Sequence, residues 1–465
     1  MILRKKRSFS RNCVKKPPRN FTPNFQETPM LIVNCFPQRF KDFFRQFSEK
    51  LGIEVDVYNY LWRIVLALAC LEGRVSLKKI AAFTGKWRTR QSFEKFLDQA
   101  DWDERAALNR KAFTTLRQLG WTVGQPLYLA IDDTQIQKRG SCMEGVSKLF
   151  LHSEKKFAIA HSVVVAAFIY RGIVIPYALR LWLSKEVCKQ LQQKDRSIRF
   201  RTMTELASDC VRSLPSSLGN VTVVFDCYYL CKTVINVCKE KGLHYVGAVK
   251  SNRKIKKDVY AKTSAQVGVY SNGFLAQGGR LFKIKGSVAF HRIAAKICYL
   301  VKAGTVKLVF SRRIGDNQAI VLATNNINCP ARKVVEIYRN RWQIEVLFKS
   351  AKQNLGMGDY QFLKRRAIER YLHLVMISHI FLTHLAYQEL NEKSSKKVSN
   401  PICITGISET KMKLRNILIS DLLEKWKAPN NDPKVARMFR EFRQKAVAMF
   451  TGKDYYEKEK GNMSC

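Results

Sequence analysis

The densest chemistry in the chain lies in the fifteen residues from Tyr338 to Lys352, Tyr-Arg-Asn-Arg-Trp-Gln-Ile-Glu-Val-Leu-Phe-Lys-Ser-Ala-Lys. No Pro or Gly interrupts the run and good helix formers dominate, so a single helix is expected over about 332–355. At about 100° per residue, with Tyr338 at 0°, Arg341 falls near 300°, Glu345 near 340° and Lys352 near 320°. These four share an arc of roughly 60°, with Lys349 close by. Ile337, Ile344, Leu347, Phe348, Ala351 and Leu355 fill the adjoining stripe and should face the core. A lone carboxylate ringed by cations and a phenol suits a metal-binding Glu beside donors for phosphate oxygens. Charge alone reads equally as the solvated side of an ordinary amphipathic helix.

Elements upstream must supply any companion carboxylates. A short apolar strand at 127–131 ends in Asp132-Asp133-Thr134, and strands at 158–169 and 173–182 follow, joined by a tight turn at Arg171-Gly172. After a helix near 199–214, the buried strand 221–225 ends at Asp226; a helix at 229–241 and a strand at 244–249 come next. Asp132, Asp226 and Glu345 together are what two-metal phosphoryl transfer requires, because hard Mg²⁺ or Mn²⁺ takes oxygen ligands and keeps positions open for phosphate. Singly, each strand-terminal Asp also reads as a helix cap. Asp132 and Asp133 are neighbours and point to opposite sides of a strand. The Asp-x-Thr pattern favours Asp132 as ligand, leaving Asp133 as a supporting group or cap.

The spacing Tyr-x2-Arg-x3-Glu-x6-Lys, with Tyr338, Arg341, Glu345 and Lys352, resembles the YREK signature of insertion-sequence cut-and-paste DDE transposases. The order strand-strand-strand-helix-strand-helix-strand, with carboxylates after the first and fourth strands, resembles the RNase H-like catalytic core. That resemblance covers roughly residues 60–390 and implies a metal-dependent enzyme. Two Mg²⁺ or Mn²⁺ ions would sit on Asp132, Asp226 and Glu345, cleaving DNA at the ends of the element and joining the freed 3′-hydroxyl to a target. Tyr338, Arg341 and Lys352 would hold phosphates of the terminal strand, and a homodimer would pair the two ends. Relatives that flip a base can stack it on a Trp of the insertion, whereas residues 256–325 contain no Trp; Tyr260, Tyr270, Phe274 and Phe290 are the aromatic substitutes there.

The charge balance points the same way. Lys and Arg number 82 against 37 Asp and Glu, a net +45 that repels itself in the folded state and calls for a polyanionic partner. Nucleic acid is the leading candidate, and the resemblance implies double-stranded DNA; an anionic membrane surface is the rival, but there is no apolar run long enough to span a bilayer and no lipidation motif. Thirteen scattered cysteines without a Cys-x-x-Cys pair, and no signal peptide, fit a reducing bacterial cytoplasm and association with the nucleoid. Cys227-x3-Cys231 lies in a helical pattern without a second pair, which argues against zinc.

The expected fold class is α/β: an RNase H-like mixed sheet flanked by helices, interrupted by a mostly β insertion, with an all-α N-terminal domain and a helical C-terminal tail. The division is a basic arm (1–40), a helical DNA-binding domain (41–120), core (121–255), insertion (256–325), core with the signature helix (326–390) and a helical end (391–465). Residues 1–20 hold eight Lys and Arg and no acid, which reads as a solvated tail or a DNA-grasping arm. A capped short helix at 76–85, a basic turn and a second helix at 91–99 resemble a helix-turn-helix, or a plain helical hairpin; Arg88 and Arg90 are the residues expected near DNA. Lys250-Ser-Asn-Arg253 is a basic turn able to touch the same backbone. The helical pattern at 434–450 reads as a packing or dimer helix. Rival readings are an RNase H-like nuclease without strand transfer and an inactive DNA-binding descendant.

Overall fold

The structure, a computed structural model, describes residues 40, 43–44, 54–85, 87–151, 154–284, 287, 289–393 and 406–424. The basic arm and the 434–450 segment lie outside the described residues.

From residue 54 on, the described chain begins with the helices α1 (Val55–Cys70), α2 (Leu77–Phe83), α3 (Arg90–Gln99) and α4 (Glu104–Gln118). Side-chain caps set three of their starts. Ser76 accepts from Lys79 N–H, Thr89 from Ser92 N–H, and Asp103 from Arg105 and Ala106 N–H. Gly85 follows α2 at φ +66°, the left-handed conformation that ends a helix at no steric cost. In α1, Leu61 to Cys70 are buried all round because later helices close over it.

The sheet begins with β1 (Leu127–Gln137), β2 (Ser147–Leu151), β3 (Lys156–Tyr170) and β4 (Ile173–Trp182). Arg171 and Gly172, at φ 52° and 88°, make the tight turn between the last two. Next come α5 (Lys185–Gln192), α6 (Met203–Arg212), β5 (Val221–Phe225), α7 (Lys232–Glu240) and β6 (His244–Ala248). β3 runs antiparallel to β1, β2 and β4, while β5 is parallel to both β1 and β6. The sequence pattern missed β2 and α5, both too short to show a period.

Residues 254–324 supply β7 (Lys254–Lys256), β8 (Ala265–Gln266), α8 (Val267–Gly278), β9 (Arg280–Lys283), β10 (Phe290–Leu300), β11 (Gly304–Arg313) and β12 (Ile320–Thr324). Their strands extend the same sheet: β12 pairs with β6, and the order is β2-β3-β1-β5-β6-β12-β11-β10-β7-β8, with β4 on β3 and β9 on β10. The chain ends its described course with α9 (Ala331–Arg339), α10 (Trp342–Asn354), α11 (Arg365–Lys393) and α12 (Ile407–Glu424).

Two expectations need correction. The strand carrying Asp132 does not end there but continues to Gln137, because β3 goes on pairing with it after β5 has stopped. The single helix expected over 332–355 is two, α9 and α10, parted at Asn340-Arg341. The Asn340 amide donates to the carbonyls of Glu336 and Ile337, and the local N–H groups bond three residues back. That side chain competes with the α-helical ladder and tightens one turn. Among the described residues no helix is long and apolar enough to cross a membrane.

Candidate active site

Ladder partners share a face of a sheet, so register alone sorts the candidate carboxylates. Ala130 lies beside Val224 and Ile131 beside Phe225 in the parallel pairing of β1 and β5. One residue on, Asp132 and Asp226 fall on the Val224 face, and Asp133 on the Phe225 face. Val224 packs in a small core with Val334, Val335 and Ile337 of α9. Asp132 and Asp226 therefore stand on the face that α9 covers. Asp133 points the other way, where its Oδ1 accepts from the buried Tyr229 hydroxyl at 2.8 Å.

The apolar stripe of α10 does what its spacing predicts: Ile344, Leu347, Phe348, Ala351 and Leu355 are all buried. Burying them turns Glu345 toward β1. Arg341, on the tightened turn, then bridges the two: Nη1 donates to Asp132 Oδ2 at 2.9 Å and Nη2 to Glu345 Oε1 at 2.5 Å. Its guanidinium also lies 5.8 Å from the Tyr338 ring. Asp226 Oδ1 accepts from Tyr228 and Tyr229 N–H at 2.9 and 3.2 Å, so the turn after β5 orients that carboxylate.

Burial raises the Asp132 carboxyl to about 7; Arg341 and the Asp133 N–H oppose the shift without cancelling it, and Asp226 and Asp133 add to it. Burial also works against charge on Arg341, yet Tyr338, Glu345 and Asp132 outweigh it and hold the guanidinium protonated more firmly. Burial raises the Tyr338 and Tyr229 phenols, the latter strongly, with Asp133 second.

The donor set is all oxygen, as Mg²⁺ or Mn²⁺ prefers. In this arrangement, however, no three His, Cys, Asp or Glu side chains converge on one point among the described residues. The Arg341 guanidinium fills the space between Asp132 and Glu345, so it stands where a cation would, and a metal there requires it to move.

Other expected contacts divide. Lys349 and Lys352 are exposed along α10. Arg88 is exposed against the Trp87 ring at 4.8 Å, and Arg90 is exposed and paired with Glu94 at 3.1 Å. Arg253 is a correction: its guanidinium turns inward and donates to the carbonyls of Leu230 and Val301 at 3.4 and 3.1 Å, pinning its loop. Trp342, at the start of α10, is 60% exposed. It borders an open groove of about 1100 Å³ with Arg171, Lys333, Tyr338, Arg339 and Arg341. Cys227 and Cys231 sit in the turn before α7 and not in a helix. Of the aromatic residues at 256–325, Tyr260 is 91% and Phe290 51% exposed, while Phe274 packs on Phe310. Reading by residue type missed Tyr229; its one signal was a position three residues beyond Asp226, inside the turn that the aspartate caps.

Two family profiles match the chain: the DDE superfamily endonucleases over residues 61–268 and the transposase DDE domain over residues 201–381. The chain is 23% identical over 319 residues to a protein of Microchaete diplosiphon named "Probable transposase for insertion sequence element IS701", covering 65% of this chain and 77% of that one. It is 27% identical over 205 residues to a Sinorhizobium fredii protein named "Putative transposase y4zB", covering 40% of this chain and 53% of that one. The mixed α/β fold, the carboxylates on one sheet face and these two profiles together relate the chain to the DDE endonucleases and transposases.

Proposed function

We propose that the protein is a DNA transposase of the DDE type, with Asp132, Asp226 and Glu345 as the carboxylates that hold its divalent metal ions. The observation that carries this reading is the Asp132–Arg341–Glu345 bridge, which joins two of the three across 213 residues of sequence, while the third, Asp226, shares a sheet face with Asp132. The order β4-β3-β1-β5-β6 within the larger sheet is the one expected of an RNase H-like core and supports it. Bound Mg²⁺ or Mn²⁺ would supply a Lewis acid that activates the attacking oxygen and stabilises the leaving one.

The chain's own residues bind and orient. Arg341 has a third donor, Nε–H, buried without a protein acceptor, and a phosphate oxygen would satisfy it. Once drawn toward DNA, the guanidinium leaves Asp132 and Glu345 to the metal. Tyr338 beside it and the exposed Lys349 and Lys352 extend the same phosphate-binding edge. Asp133, held by Tyr229 on the opposite face, stiffens the strand and takes no part in ligation. The DNA consists of the ends of the element and its target, bound by a homodimer that brings two ends together.

The test is excision from a plasmid carrying the gene with its native flanking DNA, comparing wild type with Glu345→Gln, with Mg²⁺ supplied or chelated. Excision by wild type only, with end binding retained in the variant, is the expected result. Nicking anywhere without excision or joining favours a plain nuclease; DNA binding with no cleavage by either protein favours an inactive descendant.

A further inference from the structure

The sheet face that carries Asp132 also carries a second surface of different chemistry. The β2–β3 hairpin sets Phe150 opposite Phe157 and Lys148 opposite Ile159. The two phenyl rings meet edge to face with centroids 5.2 Å apart. They are nevertheless 39% and 64% exposed. Two large apolar side chains exposed side by side mark a contact surface. Lys148 Nζ stands 6.0 Å from the Phe157 ring, and Lys155 and Lys156 are exposed at the turn. The acid there, Glu154, is already bonded to Lys156 at 2.6 Å. Gln135 of β1 ties the hairpin down by donating to Phe150 O at 3.0 Å.

Register fixes its distance from the carboxylates. Asp132 lies opposite Val165 of β3, and Phe157 stands eight residues back along the same strand with no register shift between. An even spacing puts both on one face, at most about 26 Å apart at roughly 3.3 Å per residue. That is about eight base pairs of duplex at some 3.4 Å each.

We propose that this hairpin is a DNA-gripping arm. Phe150 and Phe157 press into the minor groove of duplex about eight base pairs from the phosphate at Asp132, and Lys148, Lys155 and Lys156 take flanking phosphates. The arm rests on the DNA reading of the proposed function. Charge selects the occupant: Lys148, Lys155 and Lys156 around the two rings, in a chain of net charge +45, draw a polyanion to this face.

The experiment measures binding of the full-length protein to a mixed-sequence duplex of about 30 base pairs over a range of salt. Phe150→Ala with Phe157→Ala should weaken binding roughly tenfold and leave the salt slope unchanged. Lys148→Gln, Lys155→Gln and Lys156→Gln together should flatten the slope of log K against log salt by about 2.7. In parallel, Phe157→p-benzoylphenylalanine should photo-cross-link to the DNA. The cross-link reads contact directly, so it stands even if the alanine pair lowers stability. Wild-type affinity and slope in both variants, or a cross-link to a second protein chain, overturns the arm. A wild-type protein that binds no duplex overturns the proposed function, and the arm with it.

Discussion

The proposed site turns on Arg341, whose single guanidinium bridges two carboxylates that a metal would need. Removing it takes away a competing cation and also a phosphate donor, so the two effects should separate. At pH 8, Arg341→Gln should bind Mn²⁺ several-fold more tightly in the absence of DNA, by about the 1 kcal/mol of a partly exposed ion pair. The same variant should bind element-end DNA about tenfold more weakly. Calorimetric titration with Mn²⁺ checks the first; unchanged or weaker metal binding would count against the bridge as a cation stand-in. A second residue-scale test separates Asp132 from Asp133. Asp132→Asn should abolish both cleavage and metal binding, whereas Asp133→Asn should keep metal binding and lose mainly stability. Tyr229→Phe should lower unfolding free energy by about 1–3 kcal/mol, since it strips a hydrogen bond from a half-buried carboxylate. An Asp133→Asn protein that folds but binds no metal would reverse the assignment.

Among the elements, the strands and the loop after α10 are locked together by a neutral histidine. His161 on β3 is fully buried, its Nδ1 2.8 Å from the Tyr360 hydroxyl and its Nε2 3.1 Å from Glu144 O. A carbonyl only accepts, so Nε2 carries the proton and Nδ1 accepts from the phenol. Burial lowers His161 to about 4, and His379 within α11 to about 4 as well. The unfolded chain, with histidines near 6.5, binds more protons than the folded one between about pH 4 and 6.5. Stability from these groups is thus whole above about 6.5 and drains away as the pH falls toward 4. Thermal melts at pH 7 and pH 5 should show a marked fall in Tm, and His161→Gln should reduce that fall while lowering Tm at pH 7. An equal Tm at both pH values would contradict a neutral buried His161. How legible these elements were depended on length. The stripe of α10, from Ile344 to Leu355, announced itself through periodicity and is buried as expected. The break at Asn340 did not, because it comes from one amide capturing two carbonyls, a choice that leaves no periodic mark.

For the whole molecule, a net +45 spread over one chain sets the affinity for polyanions before any specific contact forms. Binding to a duplex should therefore fall steeply with salt, log K against log salt having a slope of about −6 or steeper. A slope shallower than about −3, measured by fluorescence anisotropy, would mean that few of these cations face DNA.

Charge, the three carboxylates and the spacing at 338–352 are written in residue types, so the chain alone pointed to the class of chemistry and of partner proposed above. The faces of single elements were legible for the same reason: period and alternation are local properties. The bridge from Asp132 through Arg341 to Glu345, across 213 residues, and the shared sheet face of Asp132 and Asp226, 94 residues apart, are not local. Only the parallel register of β1 on β5 decided that Asp132, and not Asp133, shares a face with Asp226. Only packing decided that Arg341 lies between Asp132 and Glu345, that Arg253 turns inward, that Trp342 faces solvent, and that residues 254–324 extend the central sheet. Each of these outcomes is a competition among partners that meet only when the chain folds.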